Sequence, residues 1–333
     1  MEKQNVVVIG GGTGTHTVLT GLKRYQKRLN LSAVVTMADS GGSTGRLRDE
    51  FGYLPVGDVR MALAALARSN GHHDDLLRQL FMYRFDKGAG LSGHNFGNLL
   101  LVALTDILGS EEAAIRAAAR VLRVSGKVIP VTTQKVDMVA EYSDGVQVIG
   151  EHDIDEPAPE RLASHITQLS VTPEASISDT ADEALLNADM IVIGPGDLYT
   201  SVLANVVVDG VASAVSNSGA KVVYVCNLMT KAGQTIGMGV QEHVDEITRY
   251  LGCGVDTVIV NTGDFPEDLL EKYKADNEFP VESNCVRTDV NIITSDFLAK
   301  EAVTTTEGDV LKRSLIRHDA RKLARTIVGL LPK

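Results

Sequence analysis

The chain has 333 residues, of which 44% are hydrophobic, 23% charged and 5% aromatic, and its 43 acidic and 32 basic side chains give a formal net charge of −11. This composition is typical of a globular protein, and its acidic balance disfavours nucleic acid or an anionic membrane as main partner, because both attract basic surfaces. The three cysteines lack metal-ligand spacing, and the chain shows neither the ~20 apolar residues of a membrane span nor a signal segment, so we expect a cytoplasmic protein without structural zinc.

Short β-branched runs that end in polar, glycine-rich loops recur along the chain. Because these runs alternate with helical patterns, they predict one α/β domain over residues 1–333, with a doubly wound, mostly parallel Rossmann-like sheet. The carboxyl ends of parallel strands share one edge of the sheet, so the loops should converge on one crevice. The predicted strands of this kind are residues 6–9, 31–37, 190–193, 221–226 and 257–260.

Two segments depart from this alternation. Residues 56–123 are predicted to form a helical insertion of four helices, because apolar residues recur there at helical spacing. Residues 127–172 are predicted to form an antiparallel excursion, since Asp144-Gly145 separates two short strand patterns and is a strong hairpin signal. A final helix is expected over about 318–331.

The first loop, Gly10–Thr15, follows a strand and opens a helix. Such a turn gathers backbone N–H groups at a helix N-terminus and so predicts phosphate binding, although a tight turn without a ligand has the same pattern. Asp39 follows the second strand, where dinucleotide enzymes hold a ribose, so a nicotinamide enzyme is an alternative. Thr15 replaces the last glycine of the dinucleotide fingerprint, and no Gly-Lys-Ser/Thr of a P-loop is present. The run also resembles the glycine turn of tubulin-like GTPases, in which it lies well inside the domain.

Three further loops have the composition of ligand-binding turns. Ser40–Gly45 is rich in glycine and hydroxyl groups, and beside the first loop it suits either a diphosphate ester or two phosphate-bearing ligands. Ser92–Asn98 begins an apolar helix with amide side chains that either contact phosphate or sugar oxygens or cap the helix. Gly194–Ser201 joins a strand end to a helix cap, and its Asp197 could pair with Asp39 to bind Mg²⁺ through oxygen ligands.

No catalytic nucleophile is evident, since the sequence has neither a Gly-x-Ser-x-Gly elbow nor His-Glu-x-x-His. His94 could titrate near neutrality, but orienting a neighbour by a hydrogen bond is the commoner role of a lone histidine. Arg46, Arg60 and Arg317 are candidate phosphate ligands, because a guanidinium group can bind phosphate bidentately. Binding without catalysis therefore fits these residues.

Six motifs together resemble the YvcK-type gluconeogenesis factor family, which is itself similar to CofD, the 2-phospho-L-lactate transferase. Resemblance to the YvcK branch implies a CofD-like fold and a bacterial cytoplasmic regulator that binds UDP-sugars such as UDP-N-acetylglucosamine. It also implies support of cell shape and wall synthesis on gluconeogenic carbon sources. The motifs are Val8–Gly14, Ala38–Arg48, Pro55–Arg60, Gly93–Asn98, Gly194–Ser201 and Asn227–Thr230.

Resemblance to the transferase branch implies another activity, the Mg²⁺-dependent transfer of a phospholactyl-type group with release of a guanine nucleotide. In that case Asp39 is the candidate catalytic residue. The transferase pattern has two adjacent acids after its second strand, whereas this chain has Asp39-Ser40. The missing carboxylate disfavours the transferase.

In the regulator family a late tyrosine and a late arginine are associated with UDP-sugar binding, and Tyr273 and Arg317 are the matching positions. Some members carry a phosphorylatable threonine where Ala320 stands here. The resemblance further implies a protein partner in wall synthesis or signalling, and a homo-oligomer is expected because symmetric assemblies are common. The candidate ligand-binding residues are Gly11, Gly12, Thr13, Gly14, Asp39, Ser40, Gly41, Gly42, Ser43, Thr44, Gly45, Arg46, His94, Asn95, Gly97, Asn98, Gly194, Pro195, Gly196, Asp197, Thr200, Ser201, Asn227, Met229, Thr230, Tyr273 and Arg317.

Overall fold

The computed structural model describes residues 2–68, 72–285, 287–300 and 314–332. In chain order the strands are β1 (Gln4–Gly10), β2 (Leu29–Val35), β3 (Lys127–Pro130), β4 (Asp137–Tyr142), β5 (Gln147–Ile149), β6 (Ile166–Thr172), β7 (Met190–Ile193), β8 (Lys221–Val225), β9 (Thr257–Asn261) and β10 (Asn291–Ser295). The helices are α1 (Gly12–Leu22), α2 (Gly42–Phe51), α3 (Gly57–Leu66), α4 (His72–Met82), α5 (Phe96–Leu108), α6 (Glu111–Val121), α7 (Glu151–Asp155), α8 (Asp179–Leu186), α9 (Ala204–Val206), α10 (Val211–Asn217), α11 (Val240–Leu251), α12 (Glu267–Ala275) and α13 (Ala320–Gly329). Among these helices, none combines the length and the apolar character needed to cross a membrane.

Within the described residues, seven strands form one parallel sheet in the order β10-β9-β8-β7-β1-β2-β3. The chain moves outward from β1 through β2 to β3, then returns to β7 on the other side of β1. This confirms the predicted doubly wound α/β fold. The strand order reverses between β1 and β7, so the loops after these two strands flank the switch point, where such sheets bind ligands.

Alternating residues of β1 bury their side chains on opposite faces of the sheet. Val7 and Ile9 pack in the apolar cluster that includes residues of α8, α10 and α11. Val6 and Val8 pack in a second cluster with residues of α1, α3 and α13. Because helices cover both faces, the central strands read as continuous apolar runs rather than as an alternating pattern.

The two segments that interrupt the alternation are helical in one case and antiparallel in the other. Helices α3 to α6 occupy residues 57–121. A small antiparallel sheet with the order β5-β4-β6 spans residues 137–172. Helix α7, which carries Glu151 and Asp155, lies within this segment, between β5 and β6.

Two boundaries differ from the sequence-based expectation. Lys127–Pro130 lies in the segment expected to be antiparallel, but β3 pairs in parallel with β2 and extends the main sheet. Residues 40–46 were expected to be a loop, whereas α2 begins at Gly42. Glycine and hydroxyl side chains have poor helix propensity, so contacts with other elements rather than the local sequence must hold this turn.

Candidate functional site

A cleft of about 930 Å³ lies at the carboxyl ends of the parallel strands. Of the candidate residues, Ser40, Gly45, His94, Gly97 and Gly194 do not belong to its lining among the described residues. The other candidates are brought together there. They are Gly11, Gly12, Thr13, Gly14, Asp39, Gly41, Gly42, Ser43, Thr44, Arg46, Asn95, Asn98, Pro195, Gly196, Asp197, Thr200, Ser201, Asn227, Met229, Thr230, Tyr273 and Arg317.

A second cavity, of about 1110 Å³, lies at the amino ends of β1, β2 and β3, between α6 and α8. Lys3, Arg116 and Arg120 contribute to its lining. It is larger, but it contains none of the glycine-rich turns. We therefore place the candidate site in the cleft at the carboxyl edge, where such sheets bind ligands.

The glycine turn before α1 is packed against the protein's own groups. Gly12 donates its backbone N–H to Asp58 Oδ1 at 2.8 Å. A Cβ at Gly11 would overlap the Asp58 carboxylate, and one at Gly14 would overlap the Pro195 carbonyl. The glycines are therefore required for close packing, and one of the amides expected to bind phosphate already has a carboxylate partner.

The turn before α2 is arranged in the same way. Asp39 Oδ1 accepts the Gly41 N–H at 2.9 Å. Glu151 Oε2, from α7, accepts the Ser40 N–H at 3.3 Å. Carboxylates at a helix N-terminus are stabilised by the helix dipole, so these contacts hold α2 and α7 together.

The loop after β7 leads into a π-helical turn over Leu198–Leu203. Thr200 donates its hydroxyl to Asp155 Oδ1 at 3.2 Å. Lys231 Nζ lies 3.6 Å from Asp155 Oδ1 and 4.0 Å from Asp197 Oδ2. Burial lowers the pKa of Lys231, but Asp197, Asp155 and Glu278 raise it more, so the group stays charged.

The carboxylates at these turns are close enough to disfavour one another's charged forms. Burial, followed by the charge of Asp39, raises the pKa of Asp58 to about 7. Burial raises the pKa of Asp197 to about 6, and Asp155 adds to this shift against the opposing effect of Lys231. Burial also raises the pKa values of Asp39 and Glu151. Binding of a proton or a cation would therefore reduce the repulsion among these carboxylates.

Basic groups gather on the flank of α1. Burial lowers the pKa of His16, and the charges of Arg78, Arg317, Lys23 and Arg60 add to this shift, so that the pKa is about 4. Arg60, on α3, and Arg317, before α13, are far apart in sequence but both lie within electrostatic reach of this residue of α1. Both also line the cleft.

The amide-rich loop before α5 forms a buried network. Asn95 accepts the Gly97 N–H at 2.8 Å and so caps α5. Asn98 Nδ2 donates to Ser43 Oγ and Thr44 Oγ1, both at 3.3 Å, while its Oδ1 accepts from Arg60 Nε at 2.8 Å. These contacts join α2, α3 and α5.

His94 belongs to the same network, with Nδ1 at 3.2 Å from Ser43 Oγ. It is 7% exposed and, like Gly97, is not part of the cleft lining. The structure thus gives His94 and Gly97 positioning contacts rather than an open face toward the cleft.

Tyr273 tethers the segment that carries Arg317. Its hydroxyl accepts the N–H groups of Leu315 and Ile316 at 2.8 and 3.1 Å. Its ring packs in a small apolar cluster with Leu228 and Ile316 among others. Tyr273 therefore positions Arg317, whatever contact its ring makes with a ligand.

His318 follows Arg317 and also lines the cleft. It is 7% exposed, and its Nε2 has no hydrogen-bond partner within the described part of the chain. Burial lowers its pKa to about 4, so the imidazole is neutral near pH 7. A buried acceptor without a partner is costly.

Comparison with known proteins identifies the family. Residues 6–298 match the family model described as 2-phospho-L-lactate transferase CofD. The gluconeogenesis factor of Bacillus subtilis is 38% identical over 333 residues, 99% of this chain and 99% of its own. The gluconeogenesis factor of Halalkalibacterium halodurans is 39% identical over 342 residues, 100% of this chain and 98% of its own. The chain belongs to the CofD-like family of gluconeogenesis factors.

The fold agrees with this assignment to the CofD-like family. A crystal structure of a UPF0052 family protein from Bacillus halodurans is 37% identical to the chain and has a TM-score of 0.86. The match covers 98% of this chain and 99% of that one. The similarity therefore extends over the sheet, the helical insertion and the small antiparallel sheet.

Mg²⁺ is the cation that resemblance to the CofD-like transferases implies. Within the described ranges, no three His, Cys, Asp or Glu side chains converge as metal ligands. Mg²⁺ commonly takes only one or two carboxylates together with phosphate oxygens and water. Asp39 and Asp197 both line the cleft and supply hard oxygen donors, so the residues fit a cation that arrives with a phosphate ligand.

Several groups that line the cleft carried no clear signal in the sequence. Asp58 belongs to a motif at the start of the helical insertion, and Lys231 directly follows Asn227–Thr230. Glu151 and Asp155 come after a hairpin, where local sequence gives no reason to expect a site. Only the three-dimensional arrangement brings these charges to the glycine turns.

Proposed function

We propose that this chain is a regulatory protein that binds a UDP-sugar, of the UDP-N-acetylglucosamine type, in the cleft at the carboxyl edge. The observation that carries the proposal is that Arg60 and Arg317 both line this cleft together with the glycine turn before α1. Two guanidinium groups can bind a diphosphate with charge-assisted hydrogen bonds. A volume of about 930 Å³ is within the range of small-molecule sites.

Binding without catalysis fits the hydroxyl and thiol groups near the cleft. Ser43 Oγ lies beside His94, but it also accepts hydrogen bonds from the Asn95 backbone and from Asn98. Burial raises the pKa of the Cys226 thiol to about 12, which disfavours a thiolate nucleophile. The Ser43 hydroxyl is thus held within the buried network, and the Cys226 thiol stays protonated near pH 7.

The cellular part of the proposal follows from the family. We infer a role in cell shape and wall synthesis on gluconeogenic carbon sources, in the cytoplasm, as a homo-oligomer and with a protein partner of wall synthesis or signalling. The name gluconeogenesis factor, carried by relatives that match this chain over nearly its full length, supports a metabolic role.

A Mg²⁺-dependent CofD-like transferase is the second candidate. The cluster of Asp39, Asp58 and Glu151, whose pKa values are raised by burial and mutual repulsion, favours it. A cation that arrives with a phosphate ligand would offset part of this negative charge. Product formation that requires Mg²⁺ and is lost in Asp39→Asn would favour this activity.

Isothermal titration of the purified protein with UDP-N-acetylglucosamine, UDP-glucose, GDP and NADH, each with and without Mg²⁺, tests the proposal. We expect selective micromolar binding of a UDP-sugar without turnover. Preference for GDP in Mg²⁺ would instead support the transferase, and preference for NADH would support an oxidoreductase.

Two arginine variants test whether the binding measured in this titration takes place in the cleft. Arg317→Ala should weaken UDP-sugar binding by about 1.5–3 kcal/mol, the range of a charge-assisted hydrogen bond. Arg24→Ala is the matched control, because Arg24 is exposed at the end of α1 away from the cleft. Equal affinity of both variants would show that Arg317 does not contribute to binding of the UDP-sugar.

A further inference from the structure

The Asp58 carboxylate occupies the position where the N-terminus of α1 would hold a phosphate. Its Oδ1 accepts the Gly12 N–H at 2.8 Å, and Gly11 leaves room for its other oxygen. Asp58 lines the cleft together with Gly11 and Gly12. A phosphate that approached this turn would have to displace a negative group from the amide.

The groups that face Asp58 are mostly of the same sign. Asp39 comes from the loop after β2, and Glu151 and Asp155 come from α7, while Arg60 on α3 is the opposing charge. Asp39 accepts a hydrogen bond from the Gly41 N–H, and Glu151 accepts one from the Ser40 N–H. Asp58 accepts the Gly12 N–H in the same way. Extra negative charge on a ligand is therefore penalised most strongly at this end of the cleft.

Diphosphates differ in the charge that they would bring to Asp58. A diphosphate esterified at both ends has no terminal phosphate and carries one negative charge on each phosphorus group. UDP has a terminal phosphate whose second ionisation lies near pH 6, so it carries roughly one further negative charge at pH 8.

We propose that Asp58 makes the cleft selective for diphosphates esterified at both ends, such as sugar nucleotides, over diphosphates with a free terminal phosphate. This inference rests on the proposed function, because it assumes that the cleft binds a UDP-sugar. Asp58 is then a specificity-determining residue whose charge excludes the nucleotide that remains when the sugar is removed.

Isothermal titration at pH 8 in EDTA, with wild type and Asp58→Asn, measures this selectivity. The asparagine keeps the acceptor for Gly12 but removes the charge, so the ratio Kd(UDP)/Kd(UDP-N-acetylglucosamine) should fall about tenfold or more, mainly because UDP binds more tightly. Asp75→Asn, an exposed change of the same charge on α4, should leave the ratio unchanged. An unchanged ratio in a folded Asp58→Asn protein would overturn the proposal.

A second measurement needs no variant. The methyl ester of the terminal phosphate of UDP removes the extra charge, so wild type should bind it about tenfold more tightly than UDP. If UDP-N-acetylglucosamine binds in its own titration but the ester and UDP bind with equal affinity, the role of Asp58 is contradicted. The proposed function would then still stand. Failure of all three ligands to bind would overturn the proposed function, and the inference with it.

Discussion

Asp58 illustrates how single residues of the cleft depend on partners that are distant in sequence. The sequence placed Asp58 in the motif Pro55–Arg60, but no local pattern indicated that its carboxylate would accept the Gly12 N–H. Gly11 and Gly14 were expected to bind phosphate, whereas their lack of a side chain also serves packing against Asp58 and Pro195. The sequence thus indicated where the glycine turns lie, but not which groups of the protein already contact them.

The raised pKa of Asp58 should be measurable as a pH dependence of stability. Its pKa is about 7 in the folded protein and near 3.8 in the unfolded chain, so the folded state binds more protons between these values. The contribution of Asp58 to the free energy of unfolding is therefore present below pH 4 and is lost as the pH rises through 7. We expect Asp58→Asn to gain stability relative to wild type over this interval.

Urea unfolding of both proteins at pH 4 and pH 8 checks this expectation. Asp75→Asn, which removes an exposed carboxylate from α4, is the control and should show no such trend. A stability difference between wild type and Asp58→Asn that is the same at both pH values would show that the carboxylate is not strained by its surroundings.

At the scale of elements, the strands were easier to foresee than the helices of the site. Met190–Ile193 is a continuous apolar run buried on both faces, so its sequence alone predicts β7. By contrast α2 begins with Gly42, Ser43 and Thr44, which lack an apolar period and have poor helix propensity. Asn98 holds these residues from α5, a contact that no local pattern reveals.

Asn98→Ala should therefore destabilise α2 as well as the whole fold. It removes the acceptor for Arg60 Nε and the donor to the Ser43 and Thr44 hydroxyls in a buried network, at a cost of about 1–3 kcal/mol. Urea unfolding would measure this cost, and hydrogen exchange should become faster for the amides of residues 42–51.

The control is Asn30→Ala, since the Asn30 side chain makes an exposed contact with Asn5. It should change stability by less than about 0.5 kcal/mol. Unchanged exchange in α2 of Asn98→Ala would mean that the local sequence of this helix is sufficient to hold it.

At the scale of the whole molecule, the sheet order explains why loops so distant in sequence share one cleft. The turn after β1 and the turn after β7 meet because those strands are neighbours at the switch point. Acidic and basic groups both line this cleft, and Arg60 lies within electrostatic reach of Asp39 and Asp58 as well as of His16.

The most direct test is a crystal structure of the protein with UDP-N-acetylglucosamine. We expect the diphosphate in the cleft at the carboxyl edge, within hydrogen-bond distance of Arg60 or Arg317. Ligand in the cavity at the amino ends of β1, β2 and β3, beside Arg116 and Arg120, would contradict the account.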